Sequence, residues 1–156
     1  MTTPLQPLFA LLAQTERQRD IALADLAKAQ AADAAARLQS QQLVDYRREY
    51  EQRWNGEFSR AGTIDVVRCY QSFMEKLNAA IASQARVAGQ AELKVQRLHN
   101  ALVQVERQVT GVRKLLERRT AEQRLLADRA AQKQDDELAA RMAWARRTAD
   151  GHIHTV

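Results

Sequence analysis

The residues able to do covalent or metal chemistry lack the neighbours that such chemistry needs. Cys69 is the one cysteine of this 156-residue chain, so no intrachain disulfide can form, and no histidine near it in sequence favours a nucleophile. His152 and His154 are two residues apart, whereas helical metal sites use a spacing of four. His99 and the acidic run 135–137 are typical of solvated helix positions. The sequence therefore predicts no catalytic residue, no metal site and no cofactor.

The aromatic residues are the more informative group, because most of them lie on the two sides of one predicted turn: Tyr46, Tyr50, Trp54, Phe58, Tyr70 and Phe73. Aromatic side chains grouped on one exposed face often mark a protein-binding surface. The same grouping also fits core filling where two helices meet beside a turn. Both interpretations remain open at this point.

The rings that follow the turn, Tyr70 and Phe73, belong to a long predicted helix with a heptad repeat. Its apolar residues advance in alternating steps of three and four, and only Gln84 among them is polar: Val67, Tyr70, Met74, Leu77, Ile81, Gln84, Ala88, Ala91, Val95, Leu98, Leu102, Val105, Val109, Val112 and Leu116. Such steps average 3.5 residues, the repeat of a left-handed coiled coil. A seam of this length needs a partner helix to bury it.

That partner precedes the turn and has a weaker seam: Leu8, Leu12, Ala22, Leu26, Ala29, Ala36, Leu43, Tyr50 and Trp54. Polar residues interrupt it at Thr15, Arg19, Asp33, Ser40 and Arg47. We expect the first helix over about 5–54, a turn over about 55–63 and the second helix over about 64–147. Asn55, Gly56 and Gly62 tolerate positive φ in the turn. Residues 148–156 form an expected frayed tail.

Antiparallel pairing across this turn brings together residues whose numbers sum to about 119. The strong seam of the second helix then ends at Leu116, where the first helix has no further residues that could pair with it. The sequence therefore predicts an all-α fold, a long antiparallel two-helix coiled-coil hairpin spanning 1–156 as one domain, whose second helix overhangs as a single helix. The overhang is polar nearly all round, so it is either frayed or bound to a partner.

Composition narrows the function further. The net charge is +5, but acidic and basic residues are interleaved, which is typical of solvated helix faces rather than of a nucleic-acid-binding patch. No segment approaches the roughly twenty apolar residues of a membrane span. The N-terminus lacks the basic start of a signal peptide. We expect a cytoplasmic, soluble and non-enzymatic protein.

Three segments carry a resemblance to a known family: QLVDYRREYEQR (42–53), CYQSFMEKLNAAIASQ (69–84) and QKQDDELAARMAWAR (132–146). With the short glycine-containing turn between the first two, they resemble the FliJ family of the bacterial flagellar type III export apparatus. The resemblance covers essentially the whole chain in the same order. The pattern Tyr-x-x-x-Tyr, turn, Tyr-x-x-Phe and Ala-Ile is its most specific part.

The resemblance implies a stalk-like antiparallel coiled coil that sits in the ring of the export ATPase FliI. It also implies contact with the cytoplasmic domain of the export gate protein FlhA, binding of export chaperones, no nucleic acid, and a cytoplasmic location. Membrane association would be peripheral, through partners, at the cytoplasmic face of the inner membrane at the flagellar base.

By motif matching, the gate-binding face comprises Gln39, Leu43, Tyr46 and Tyr50 on the first helix and Phe73, Leu77, Ala80 and Gln84 on the second. The one departure from the expected motif is Gln84, which stands where a histidine is expected. The ATPase-ring contacts are assigned to five arginines of the second helix, which also fit the role of solvent-exposed helix stabilisers: Arg118, Arg119, Arg124, Arg129 and Arg141. Alternative functions are the equivalent stalk of a virulence-type secretion system, a basic coiled-coil nucleic-acid binder, and a dimeric coiled-coil scaffold.

Overall fold

The computed structural model describes residues 4–58, 60 and 62–153, together with all their side chains except those of 57, 58, 152 and 153. It contains two long helices, α1 (Gln6–Arg53) and α2 (Ile64–Ile153), and a five-residue π-helix at Trp54–Phe58 that follows α1 directly. The described residues include no strand. The predicted all-α helical hairpin is therefore confirmed. None of the described helices is long and apolar enough to cross a bilayer.

The start of each helix follows from its local sequence. At the beginning of α1, the backbone N–H groups of Leu8 and Phe9 both donate to the carbonyl of Leu5, at 3.0 Å. At the beginning of α2, the N–H of Val67 donates to the carbonyl of Thr63 at 3.2 Å. Thr63 thereby takes the position of an N-cap, which favours threonine because its side chain can satisfy a free N–H in the first turn.

The end of α2 differs from the sequence-based expectation. Gly56, in the predicted turn, lies within the π-helix and does not have positive φ. Residues 59 and 61 of the predicted turn lie outside the described residues. The second helix runs through Ile153, so its predicted end near 147 was too early. The Thr148 hydroxyl donates to the carbonyls of Trp144 and Ala145, at 3.2 and 2.9 Å, and this bonding keeps its polar group satisfied inside the helix. Residues 154–156 of the predicted frayed tail lie outside the described residues.

Packing divides the chain into two units, Thr15–Arg107 and Met1–Gln14 with Gln108–Val156. In both units, every residue of the two predicted seams is buried or half-buried. The most buried apolar residues are spaced along these seams: Leu26, Ala29, Ala36, Leu77, Leu102 and Val109. The heptad pattern of the sequence therefore identified the residues that bury apolar surface in each unit.

Two polar residues that interrupt the first seam are nevertheless enclosed. Thr15 is only 7% exposed. The Asp33 side chain is 14% exposed, and its Oδ2 lies 3.2 Å from Nη2 of Arg37. The other carboxylate oxygen of Asp33 is buried and has no hydrogen-bond partner in the described structure. A buried, unpaired carboxylate oxygen weakens the packing around it.

The C-terminal part of α2 is exposed on all sides. Within the unit formed by Met1–Gln14 and Gln108–Val156, half-buried residues continue as far as Gln123. From 124 to 151 every residue is exposed. The predicted overhanging single helix is therefore confirmed. Its large apolar side chains are open to solvent: Leu125, Leu126, Leu138, Met142 and Trp144.

Candidate partner-binding site

Five aromatic rings form a continuous ladder across the two helices beside the turn. Trp54 stacks on Tyr70 with ring centroids 4.1 Å apart, and Tyr70 stacks on Tyr50 at 5.7 Å. Tyr50 then contacts Phe73 at 4.4 Å, and Phe73 meets Tyr46 edge-on at 6.2 Å. Offset and edge-on ring pairs each add about 0.5–1.5 kcal/mol beyond the area that they bury. The ladder therefore joins α1 and α2 firmly at this end of the unit Thr15–Arg107.

The ladder is enclosed at one end and open at the other. Trp54, Tyr70, Tyr50 and Phe73 are half-buried, so these rings fill the space between the helices. Tyr46 is 46% exposed, although it contacts both Tyr50 and Phe73. Core filling therefore describes most of the described rings, and Tyr46 is the ring left exposed to solvent. The protein-binding interpretation stays a prediction. The side chain of Phe58, which completed the predicted cluster, lies outside the described part.

The structure brings the eight predicted gate-binding residues onto neighbouring turns of the two helices. Gln39, Tyr46 and Ala80 are exposed, whereas Leu43, Tyr50, Phe73 and Gln84 are half-buried, and Leu77 is only 6% exposed. Leu77 therefore lies in the core, beneath the residues that a partner could reach. A buried seam leucine contributes to the stability of the hairpin rather than to a surface that a partner can touch.

The polar residue of the main seam has a structural role. Nε2 of Gln84 donates to the backbone carbonyl of Ala36 at 3.3 Å and to Oε1 of Gln39 at 3.2 Å. These bonds cross from α2 to α1 within the seam. A hydrogen-bonded polar residue at a seam position favours one register, because a shifted register would leave it unpaired. Gln84 thus links the packing of the hairpin to Gln39, a member of the predicted binding face.

A second polar bridge lies near the ladder, where sequence reasoning did not place one. Nη1 of Arg47 donates to Oδ1 of Asn78 at 3.1 Å. Arg47 was identified only as an interruption of the first seam. The signal that could have revealed the bridge is a long, charged side chain at a seam position beside an amide residue on the facing helix. Such a side chain extends past the seam and finds a partner at its edge.

A small groove opens on the turn side of the ladder and was not anticipated from the sequence. It holds about 300 Å³ and is lined by Tyr50, Trp54, Asp65, Val66, Cys69 and Tyr70. Burial raises the pKa of the Tyr70 hydroxyl, and the nearby negative charge of Glu51 and the neighbouring Tyr50 raise it further. The phenol of Tyr70 therefore stays neutral at physiological pH. The thiol of Cys69 is exposed at the groove.

The described side chains were expected to bind no metal, and their arrangement is as follows. Among the described residues, no three of His, Cys, Asp and Glu are close enough to hold an ion. The acidic run 135–137 and His99 are exposed on α2. The side chain of His152 and the whole of His154 lie outside the described part. What the arrangement offers is a surface for contacts, built from aromatic edges, amides and small apolar residues.

The predicted ATPase-contact arginines lie apart from the ladder in sequence. All five belong to the unit Met1–Gln14 with Gln108–Val156. Arg119 is half-buried, and the others are exposed along α2: Arg118, Arg124, Arg129 and Arg141. The fully exposed stretch 124–151 contains three of these arginines, Arg124, Arg129 and Arg141. It also contains the exposed apolar side chains of Leu125, Leu126, Leu138, Met142 and Trp144.

Comparison with known proteins adds one match. The family model described as "Flagellar FliJ protein" matches residues 4–148, which is nearly the whole chain. No curated protein and no solved structure matches the chain.

Proposed function

Because the chain belongs to the flagellar FliJ protein family and is a component of the flagellar export apparatus, we propose that it acts there as a non-enzymatic coiled-coil stalk. In this proposal it couples the ring of the export ATPase FliI to the cytoplasmic domain of the export gate protein FlhA. It also binds export chaperones, and the ATPase carries out hydrolysis. The family match favours this function over a virulence-type stalk, a nucleic-acid binder or a scaffold dimer.

The observation that carries the proposal is the open edge of the aromatic ladder. Tyr46 is 46% exposed and is held against Phe73, while Gln39 and Ala80 are exposed beside it. A rigid, partly exposed aromatic residue supplies contact area at a low cost in side-chain entropy. Because the ring contacts with Tyr50 and Phe73 hold Tyr46 in place, this edge is organised for binding before a partner arrives. We assign the gate contact to this edge.

The exposed stretch 124–151 supports the other half of the proposal. An isolated helix in water is marginal unless a partner buries one of its faces. This stretch presents Leu126, 52% exposed, and Trp144, 69% exposed, together with exposed arginines. We assign the ATPase-ring contact to this part of α2, with Arg124, Arg129 and Arg141 as its charged members. Arg118 and Arg119 precede it on the same helix.

The proposed location follows from these partners. The chain would work in the cytoplasm and reach the cytoplasmic face of the inner membrane at the flagellar base only through the gate and the ATPase. No metal, cofactor or nucleic acid takes part in the proposed coupling.

The test is a calorimetric titration of the purified full chain with the cytoplasmic domain of the export gate. Phe73→Ala and Tyr46→Ala are expected to weaken binding at least tenfold, since aromatic residues at the centre of an interface carry much of its energy. Phe9→Ala is the matched control, because Phe9 is 55% exposed and lies outside the site. Circular dichroism establishes that each variant is still helical, and Tyr46→Ala is the safer variant because its ring is more exposed.

A second assay follows ATP hydrolysis by the purified export ATPase with and without the chain. Wild-type protein is expected to raise the rate, and removal of the exposed stretch 124–151 is expected to abolish the effect. A chain that neither binds the gate domain nor stimulates the ATPase would contradict the proposal. Equal gate binding by wild type, Phe73→Ala and Tyr46→Ala would keep the coupling role but move the gate contact away from the ladder.

A further inference from the structure

A larger groove runs along one flank of the unit Thr15–Arg107, away from the turn. It has a volume of about 560 Å³, and its apolar walls are formed by Ala29, Ala32, Ala91 and Leu98. Ala29 is only 5% exposed, so the two helices meet here through alanines. Alanine side chains are too short to fill the space beside the seam, and the groove is the space that they leave.

The groove lies on the same flank as the open edge of the aromatic ladder. Residues seven apart on a coiled-coil helix face the same side, because seven residues make two turns. Tyr46, Gln39, Ala32 and Asp25 are spaced in this way on α1, as are Phe73, Ala80, Val87 and Lys94 on α2. The ring contact between Tyr46 and Phe73 joins the two rows at one end. Asp25 and Lys94 line the groove together at the other end.

This flank is apolar for most of its length. Between the ladder and the charged end of the groove, the two rows contain three exposed apolar residues, Ala32, Ala80 and Val87, with Val87 at 48%. They also contain the exposed Gln39, whose Oε1 accepts a hydrogen bond from Gln84 at 3.2 Å. On the opposite flank, charged side chains bridge the two helices. There Arg47 donates to Asn78 at 3.1 Å, and Arg37 lies 3.9 Å from Glu92.

The charges around the groove point to the kind of partner that fits it. Lys28 and Lys94 line it together with a single acidic residue, Asp25, so its net charge is positive. None of the ion pairs between described side chains involves any of these three residues. An acidic partner therefore meets two lysines that form no ion pair among the described side chains, and the excess positive charge favours it over a basic partner.

We propose that this flank binds an acidic amphipathic α-helix of the export gate's cytoplasmic domain. The proposed binding surface extends from Tyr46 and Phe73 to Lys28 and Lys94. The proposal rests on the gate contact proposed above and extends it along the hairpin. Large apolar side chains of the incoming helix fill the groove that the alanines leave. Its acidic side chains face Lys28 and Lys94. The partner helix then packs against both α1 and α2, so that the three helices form a bundle.

The test fills the groove and compares the result with a matched substitution on the other side of α1. Ala32→Trp places a large ring in the groove, and Ala34→Trp makes the same change two residues away, at an exposed position that does not line it. Both are titrated with the purified gate domain, after circular dichroism shows unchanged helicity. We expect Ala32→Trp to weaken binding at least tenfold and Ala34→Trp to bind as wild type does.

A charge-reversal variant tests the acidic character of the partner. The double substitution Lys28→Glu with Lys94→Glu is expected to weaken binding at least tenfold at low salt. Its affinity is also expected to rise with salt where that of wild type falls, because salt then screens two repulsive charge contacts instead of two attractive ones. A loss of affinity that salt does not change would contradict the acidic character of the partner.

The outcomes separate this inference from the proposed function. If Ala32→Trp binds as Ala34→Trp does while Tyr46→Ala is impaired, the gate contact stands and the groove is not part of it. If wild type does not bind the gate domain, the gate contact and this inference are both overturned. A wild-type dimer in light scattering that Ala32→Trp dissociates would assign the groove to a second copy of the chain and overturn the inference.

Discussion

Asp33 offers the most direct test of how the hairpin is held together. It occupies a seam position of α1, and the seam residues on either side of it, Ala29 and Ala36, are 5% and 6% exposed. One carboxylate oxygen is buried without a hydrogen-bond partner in the described structure, and the other pairs with Arg37. Replacing this side chain by leucine is therefore expected to stabilise the protein.

The size of the effect follows from the terms that change. A buried polar atom without a partner costs about 1–3 kcal/mol. The ion pair between Asp33 and Arg37 contributes less than about 1 kcal/mol to stability, because the arginine side chain is 62% exposed and screened by water. A leucine at this position also buries apolar surface and has the higher helix propensity. We expect Asp33→Leu to raise the free energy of unfolding by about 2 kcal/mol.

The assay is urea unfolding followed by circular dichroism at a helix band. With a slope of about 2 kcal/mol per molar urea, the expected gain moves the midpoint up by about 1 M. Asp20→Leu is the matched control, because Asp20 also pairs with an arginine on α1 but its side chain is 65% exposed. The control is expected to change stability by less than about 0.5 kcal/mol. An Asp33→Leu midpoint at or below that of wild type would refute the reasoning.

Three further predictions address the rest of the hairpin. Gly89→Ala is expected to stabilise α2 by about 1 kcal/mol in the same urea assay, since an added methyl group meets no atom within 4 Å and alanine favours the helix; a loss of stability would contradict this. Leu102→Ala is expected to cost about 2–4 kcal/mol, because Leu102 is 7% exposed, whereas Leu126→Ala, at an exposed position, is expected to stay within about 0.5 kcal/mol. The Tyr70 contribution to stability is present below pH 10.0, the ordinary pKa, and is lost as pH rises through its raised pKa. Tyr70→Phe should therefore retain helicity to higher pH and remove from an absorbance titration a tyrosine whose pKa is raised above 10.0. An unchanged alkaline transition would contradict this.

Much of the fold was predictable because a coiled coil reports its packing through simple periodicity. Both seams were identified residue by residue, and the overhang followed from the different lengths of the two helices. Contacts across the hairpin also agree with the predicted register, since Tyr46 meets Phe73 and Tyr50 meets Tyr70. The end of α2 was not predictable, because no proline or strong capping signal marks it and the helix simply continues through Ile153.

The position of the aromatic cluster was predictable, but the exposure of its individual rings was not. The aromatic spacing located the cluster, yet only the packed rings distinguish the enclosed Tyr50 and Phe73 from the exposed Tyr46. The cross-helix bonds of Gln84 depend on where the Ala36 carbonyl lies across the seam. The distance between the Gln84 side chain and that carbonyl cannot be read from a pattern of residue types.

The sequence by itself determined that this chain pairs two unequal helices, which residues face the seam, and which family it resembles. These properties depend on which residues repeat at helical spacing, and that information is local. The tertiary structure alone decided which polar atoms find partners, why Asp33 keeps an unpaired oxygen, and where facing alanines open a groove beside the seam. Each of these depends on atoms from both helices, because hydrogen bonds and cavities are set by distances of a few ångströms between segments far apart in the chain.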